Sequence, residues 1–146
     1  MINVSASTEI SRPVDEVFSF MTDLRTLPQW LEGVREARAL TADPKAVGAR
    51  VAHVNEFMGQ TFESTFETLE WQPCRSTVFR VLTGPLRGES RQRFEPLTDD
   101  RSRVSIEVTG DGTGVLKLCN FIAKRAAQRQ VNRSLERAKE LLEGSV

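Results

Sequence analysis

From Ile2 to Ile10 apolar and polar residues alternate through Ile2, Val4, Ala6, Thr8 and Ile10, the period of a strand with one buried face. The period then lengthens. Val14, Val17, Phe18 and Met21 form a stripe at helical spacing, preceded by Ser11 as an N-cap-region residue and Pro13 in the first turn. Asp15 and Glu16 follow where the helix dipole favours acids. Pro28 disfavours helical geometry at Leu27 and removes a backbone donor. The first helix is therefore expected to stop near Asp23, and a second short one to run to about Leu31. The pair makes a bent V that carries Trp30, one of two tryptophans in the chain.

Past Gly33 the two-residue period returns. Strands are expected in "VREARAL" (34–40), "ARVAHVNEFMG" (49–59), "TFESTFETLEW" (61–71), "STVFRVL" (76–82), "ESRQRFEPL" (89–97) and "RVSIEVTGDG" (103–112). Between them lie turn-rich segments: "TADPKAVG", Met58-Gly59-Gln60, Gln72-Pro73-Cys74, "TGPLRG" and "DD". From about Thr113 to Glu143 there is no proline, and Val115, Leu118, Ile122, Ala126, Leu135, Ala138 and Leu142 recur at three- and four-residue steps. That spacing predicts one long amphipathic helix. Its middle, "KRAAQRQVNR", is poor in large apolar groups, so Ala126, Ala127, Gln130 and Val131 are expected to leave space above the sheet. The element order is β-α-α-β-β-β-β-β-β-α, without repeats or linkers, and a single domain spanning 1–146 is expected.

Composition narrows the class. At 146 residues the chain should bury roughly 68–70% of its unfolded surface in one core, and 39% hydrophobic with 27% charged residues exclude a disordered or fibrous chain. Twenty basic and twenty acidic residues cancel, leaving no global electrostatic case for nucleic acid or for an anionic membrane, so that any such partner would need a local patch. Cys74 and Cys119 make no Cys-x-x-Cys pair, which fits small buried groups in a reducing compartment. "MINVSASTEIS" lacks a basic n-region and a long apolar run, and no stretch approaches the roughly 18 apolar residues of a membrane span. A cytoplasmic protein is expected, as monomer or homodimer, with at most peripheral membrane contact.

A strand, two short helices, six consecutive antiparallel strands and a long C-terminal helix resemble the helix-grip fold of the START-like, or SRPBCC, superfamily. The most specific segment is "SRPVDEVFSFMTDLRTLPQWLEGV" (11–34). It is similar to the family's helix pair, in which a proline starts the first helix and a Pro/Glu/Gln-Trp dipeptide ends the second. "VGARV" after a turn, "LEWQPC" closing the fourth strand and "LERAKELLE" near the C-terminus are similar to the matching family segments. The resemblance implies an α+β fold: a curved antiparallel sheet of about seven strands wrapped around the long helix, with a cavity between them. It implies binding of an apolar or amphipathic small molecule such as a lipid or polyketide, and the polyketide cyclase/dehydrase-like subgroup is nearest in general pattern. Lipid carriers and coenzyme Q-binding proteins share the fold, and none of the shared segments is a catalytic motif.

Parity along the strands supplies the candidate residues. His53, the only histidine, shares a face with Val51, Asn55 and Phe57. Facing inward, His53 and Asn55 could orient a ligand or move a proton near neutral pH; facing outward, His53 is an ordinary strand histidine. Ser64, Thr68, Ser90 and Gln92 share parity with Phe62, Phe66 and Phe94, giving apolar walls with a few convergent polar groups, or else polar residues at a barrel rim. The candidate cavity is lined by Trp30, Val51, His53, Asn55, Phe57, Phe62, Ser64, Phe66, Phe79, Gln92, Phe94, Ile106, Ile122, Ala126 and Gln130. Trp30 reads either as a core plug or as a wall of the cavity mouth.

His53, Asn55 and Gln92 are the catalytic candidates if the cavity belongs to a cyclase- or dehydratase-like enzyme. Glu63, Glu67, Glu89, Glu95 and Glu107 share the outward parity, so paired-carboxylate chemistry has little support. "GDGTG" (110–114) matches neither phosphate-binding fingerprint and reads as a turn with an N-cap at Thr113. With one histidine, no His-dependent metal cluster is possible, and neither metal nor cofactor is expected. Lys117, Lys124, Arg125, Arg129, Arg133, Arg137 and Lys139 give the long helix a basic face, either simply solvated or able to meet anionic lipid or an acidic partner.

Overall fold

The computed structural model describes residues 2–57, 59–84, 86–112 and 120–144. The elements run β1 (Ile2–Ile10), α1 (Val14–Thr22), α2 (Leu27–Trp30), β2 (Val34–Ala39), β3 (Arg50–Phe57), β4 (Gln60–Gln72), β5 (Ser76–Thr83), β6 (Leu86–Thr98), β7 (Arg101–Gly112) and α3 (Asn120–Glu143). The strands form one seven-stranded antiparallel sheet in the order β1-β7-β6-β5-β4-β3-β2. β2 to β7 make a meander, and β1 pairs with β7 from Ile2↔Gly110 to Ile10↔Ser102. The expected helix start at Thr113, with Val115 and Leu118, lies outside the described residues, as do Met58 and Cys119. Gly110, Asp111 and Gly112 of the expected "GDG" turn instead extend β7.

The proline break shapes the helix pair in a way that differs from the sequence reading. Pro13 is itself the N-cap of α1, its carbonyl accepting the Val17 N–H at 3.1 Å. Ser11 does not cap; its N–H donates to the Glu143 carboxylate at 2.8 Å, tying the start of α1 to the end of α3. α1 ends at an extended Asp23. Pro28 then occupies the first turn of α2, where a missing N–H costs nothing, so this proline begins the second helix as well as separating it from the first.

The core fills one part of the concave face. Ile2, Val4 and Ile10 of β1, Phe94 of β6, and Val104 and Ile106 of β7 meet Val17, Phe18 and Met21 of α1, Leu27 and Trp30 of α2, and the inner face of α3. Phe18 stands edge-on to Phe94 at 4.9 Å and to Trp71 at 5.6 Å, contacts worth about 0.5–1.5 kcal/mol each beyond area burial. Alternation alone would put Trp71 on the convex face. A register shift between Thr68 and Glu70 turns it inward, opposite Thr77.

Hydrogen bonds tie α3 to α2 and the turn that follows it. The fully buried Ser134 hydroxyl accepts the Glu32 N–H at 2.9 Å, while Gln130 and Arg137 donate to the carbonyls of Glu32 and Gln29 at 2.7 and 3.0 Å. The Ser134 bond satisfies a backbone N–H of the turn between α2 and β2, while the other two reach exposed carbonyls of that turn and of α2. Within the sheet, β6 and β7 approach closely at the pair Gly88↔Gly110. A Cβ on Gly88 would lie 2.6 Å from the Gly110 Cα, and one on Gly110 would collide with the Arg87 carbonyl oxygen, so neither position has room for a side chain.

Candidate functional site

On the concave face the strand registers stack residues in rows. Trp71, Thr77, Gln92, Ile106 and Ala6 make one row across β4-β5-β6-β7-β1; Thr68, Phe79, Ser90, Val108 and Val4 make the next. Further along, Val51 sits opposite Phe66, His53 opposite Ser64, and Asn55 opposite Phe62. The face therefore brings together most of the residues that strand parity proposed: Val51, His53, Asn55, Phe62, Ser64, Phe66, Phe79, Gln92, Phe94 and Ile106. The side chain of Phe57 lies outside the described residues.

This face has two halves of different character. Phe94 and Ile106, on β6 and β7, are buried in the core cluster. Val51, Phe62, Phe66 and Phe79, on β3 to β5, belong to no part of that cluster, and the three phenylalanines are only half-buried. Apolar side chains left half covered beside a complete core are surface that still gains from burial.

Polar groups lie within this half and along its border with β6. The Asn55 amide donates to the Ser64 hydroxyl and to the His53 carbonyl, both at 3.2 Å. Thr77 donates to the Gln92 carboxamide oxygen at 2.6 Å, and the Gln92 amide donates to Ser90 at 2.6 Å. Each amide is thus fixed by neighbours. The Thr68 hydroxyl, on a residue 1% exposed, is buried without a hydrogen-bond partner among the described residues.

The His53 ring lies 4.5 Å from that of Phe66. Removal from water pushes its pKa down from 6.5 to about 4, because burial penalises the charged form. Among the described residues no carboxylate pairs with the ring to offset this. The acids of these strands face outward into ion pairs: Glu63 with Arg38 at 3.0 Å, Glu67 with Arg80 at 2.5 Å, and Glu95 with Arg103 at 3.4 Å. Among the described residues no group of His, Cys, Asp and Glu side chains could hold a metal ion.

Three expected cavity residues lie elsewhere. Ile122 is 57% exposed and Gln130 is exposed, its amide occupied with the Glu32 carbonyl. The inner face of α3 runs instead through Ala123, Ala127, Val131, Ser134, Leu135, Ala138 and Leu142, with Ala126 half-buried at its margin. Trp30 is 4% exposed within the core cluster, a plug and not a wall of an opening, and its indole N–H has no partner among the described residues. Thr77 was missed by sequence reasoning, although its place opposite Gln92 follows from strand parity once β5 is paired with β6.

A curved antiparallel sheet gripping a C-terminal helix, with two short helices after the first strand, defines the START-like helix-grip class. The chain belongs to the polyketide cyclase/dehydrase and lipid transport family, which matches residues 1–143. Similar folds include a START superfamily protein from Mycobacterium smegmatis, at TM-score 0.85 and 14% identity over 99% of both chains. TTHA0849 from Thermus thermophilus is similar at TM-score 0.82 and 23% identity, again over 99% of both chains. The di-domain ARO/CYC BexL of the BE-7585A biosynthetic pathway is similar at TM-score 0.78 and 14% identity, over 96% of this chain and 46% of that one. No curated protein matches the chain. Among the described residues no helix is long and apolar enough to cross a membrane.

Proposed function

We propose that the chain binds a hydrophobic or amphipathic small molecule, of the kind of a lipid or aromatic polyketide, on the β3–β5 half of the concave face. The observation that carries this reading is the aromatic patch of Phe62, Phe66 and Phe79, half-buried and left out of the core, with ordered polar groups among its members. Apolar walls supply affinity, and a few fixed polar groups supply orientation. Membership of a family described by polyketide cyclisation and lipid transport supports the same ligand class.

An enzymatic reading uses the same surface, with the protein folding a reactive chain and His53, Asn55 or Gln92 handling protons. The state of His53 favours binding over proton transfer. With a pKa of about 4 the imidazole is neutral at pH 7, holds almost no proton to give, and is a weak base. Asn55 and Gln92 serve as oriented hydrogen-bonding groups in either case.

The test is a titration with fatty acids, isoprenoids and aromatic polyketides, repeated on Phe66→Asp. A carboxylate in the centre of the patch would have to be desolvated by an apolar ligand, so affinity should fall by at least about tenfold. Uptake of none of these classes, or equal uptake by Phe66→Asp, would sink the proposal. If the protein instead turns over an accepted ligand and His53→Ala abolishes turnover without changing affinity, the enzymatic reading replaces it.

A further inference from the structure

The displacement of Ile122 from the inner face of α3 has a counterpart beside it. Phe121 is 72% exposed and Ile122 57% exposed, adjacent large apolar groups at the beginning of the described helix. Burying them against the sheet was open to the sequence, yet the inward positions of this turn are held by Ala123 and Ala127. Leaving a phenylalanine and an isoleucine together in water forgoes the stabilisation that burial of their apolar area would give.

The flanking surface is uniformly cationic. From Asn120 to Leu135 the sequence contains Lys124, Arg125, Arg129 and Arg133 and no acid, within a chain whose formal net charge is zero. All four are exposed. Arg133 pairs with Glu32 at 3.2 Å, whereas Arg125 leans over the Phe121 ring with its guanidinium 5.9 Å from the centroid. At 100° per residue Phe121, Ile122, Arg125, Arg129 and Arg133 fall within a sector of about 120° on the outward side of the helix, centred opposite the inward Ala127 and Ala138.

We propose that this outward face of α3 docks the protein on an anionic lipid bilayer, with Phe121 and Ile122 inserted at the headgroup boundary and Arg125 and Arg129 against lipid phosphates. Apolar side chains set among cations are the composition of an interfacial anchor, in which area burial and attraction to anionic lipid act together. A bilayer fits better than an acidic protein because the two apolar groups stand proud of a convex helix face and need a partner that can deform around them. None of these residues belongs to the concave-face patch, so docking and ligand binding occupy separate residues.

The experiment is flotation of the full chain with phosphatidylcholine vesicles, with and without phosphatidylserine, at low salt and at about 1 M salt, where the Debye length falls to about 3 Å. Binding is expected only to the anionic vesicles and only at low salt. Arg125→Gln with Arg129→Gln should weaken it roughly thirtyfold, from about fivefold per basic residue. Phe121→Ser with Ile122→Ser should weaken it at least about tenfold. All four side chains are exposed, so unchanged thermal unfolding of both variants is expected and separates lost docking from lost folding. No binding to anionic vesicles, equal binding to neutral ones, or full binding by either variant overturns the proposal. So does capture by soluble polyglutamate in preference to vesicles, which would assign the face to an acidic macromolecule.

Discussion

Acidifying the ligand-free protein from about pH 8 to about pH 5 should remove roughly 2 kcal/mol of stability, all of it through His53. The folded imidazole has its pKa lowered from 6.5 to about 4 by burial. In that interval the unfolded chain binds more protons than the folded one, so stability rises with pH and falls as pH drops. At about pH 5 the unfolded imidazole is protonated in about 97% of molecules and the folded one in about 9%. RT times the logarithm of the ratio of the two binding polynomials then gives roughly 2 kcal/mol, approaching about 3 kcal/mol below the folded pKa. The assay is urea unfolding at a series of pH values for the native chain and for His53→Gln. Because His53 is the only histidine, the native chain should show the slope and the variant should be flat to about pH 5. The carboxylates of Glu9, Asp23 and Glu143, held below their ordinary values by hydrogen bonds from Arg101, Arg25 and Lys139, act at lower pH. A flat native profile, or a slope retained in His53→Gln, would refute the inward, desolvated placement of the ring. So would an imidazole NMR titration centred near 6.5.

Other perturbations bear on the frame of the site. Gly110→Ala should destabilise by about 1–3 kcal/mol or more in thermal or urea unfolding, since its Cβ would be driven into the Arg87 backbone. Ser134→Ala should cost about 1–3 kcal/mol, because the Glu32 N–H loses its acceptor in a buried place. Thr68→Val is expected to raise the stability of the ligand-free protein by on the order of 1 kcal/mol. It replaces a buried hydroxyl, unpartnered among the described residues, by a methyl group of similar shape on a strand that favours branched side chains.

The sheet and the helix pair were legible because their signals are local. Alternation marks each strand, and Pro13 and Pro28 act on backbone geometry whatever the rest of the chain does. The inward placement of Val51, His53, Asn55, Phe62, Ser64 and Phe66 followed from parity, since β3 and β4 pair in uninterrupted register. Parity failed at Trp71, where the irregularity after Thr68 shifts the face by one residue and no sequence signal announces it. It failed also on α3. A hydrophobic stripe is traced through its largest members, which led through Ile122, whereas the buried stripe at that end is built of alanines whose small side chains carry little weight. Hydrophobicity and burial part company where a surface has a use of its own.

Native mass spectrometry of the gently purified full chain tests the central claim most directly. A fraction carrying one apolar or amphipathic small molecule, released on unfolding and absent or much reduced in Phe66→Asp, is the expected result. A protein that carries nothing, takes up none of the lipid or polyketide classes when they are added, and behaves identically in Phe66→Asp would contradict the assignment of the β3–β5 concave face as a ligand site.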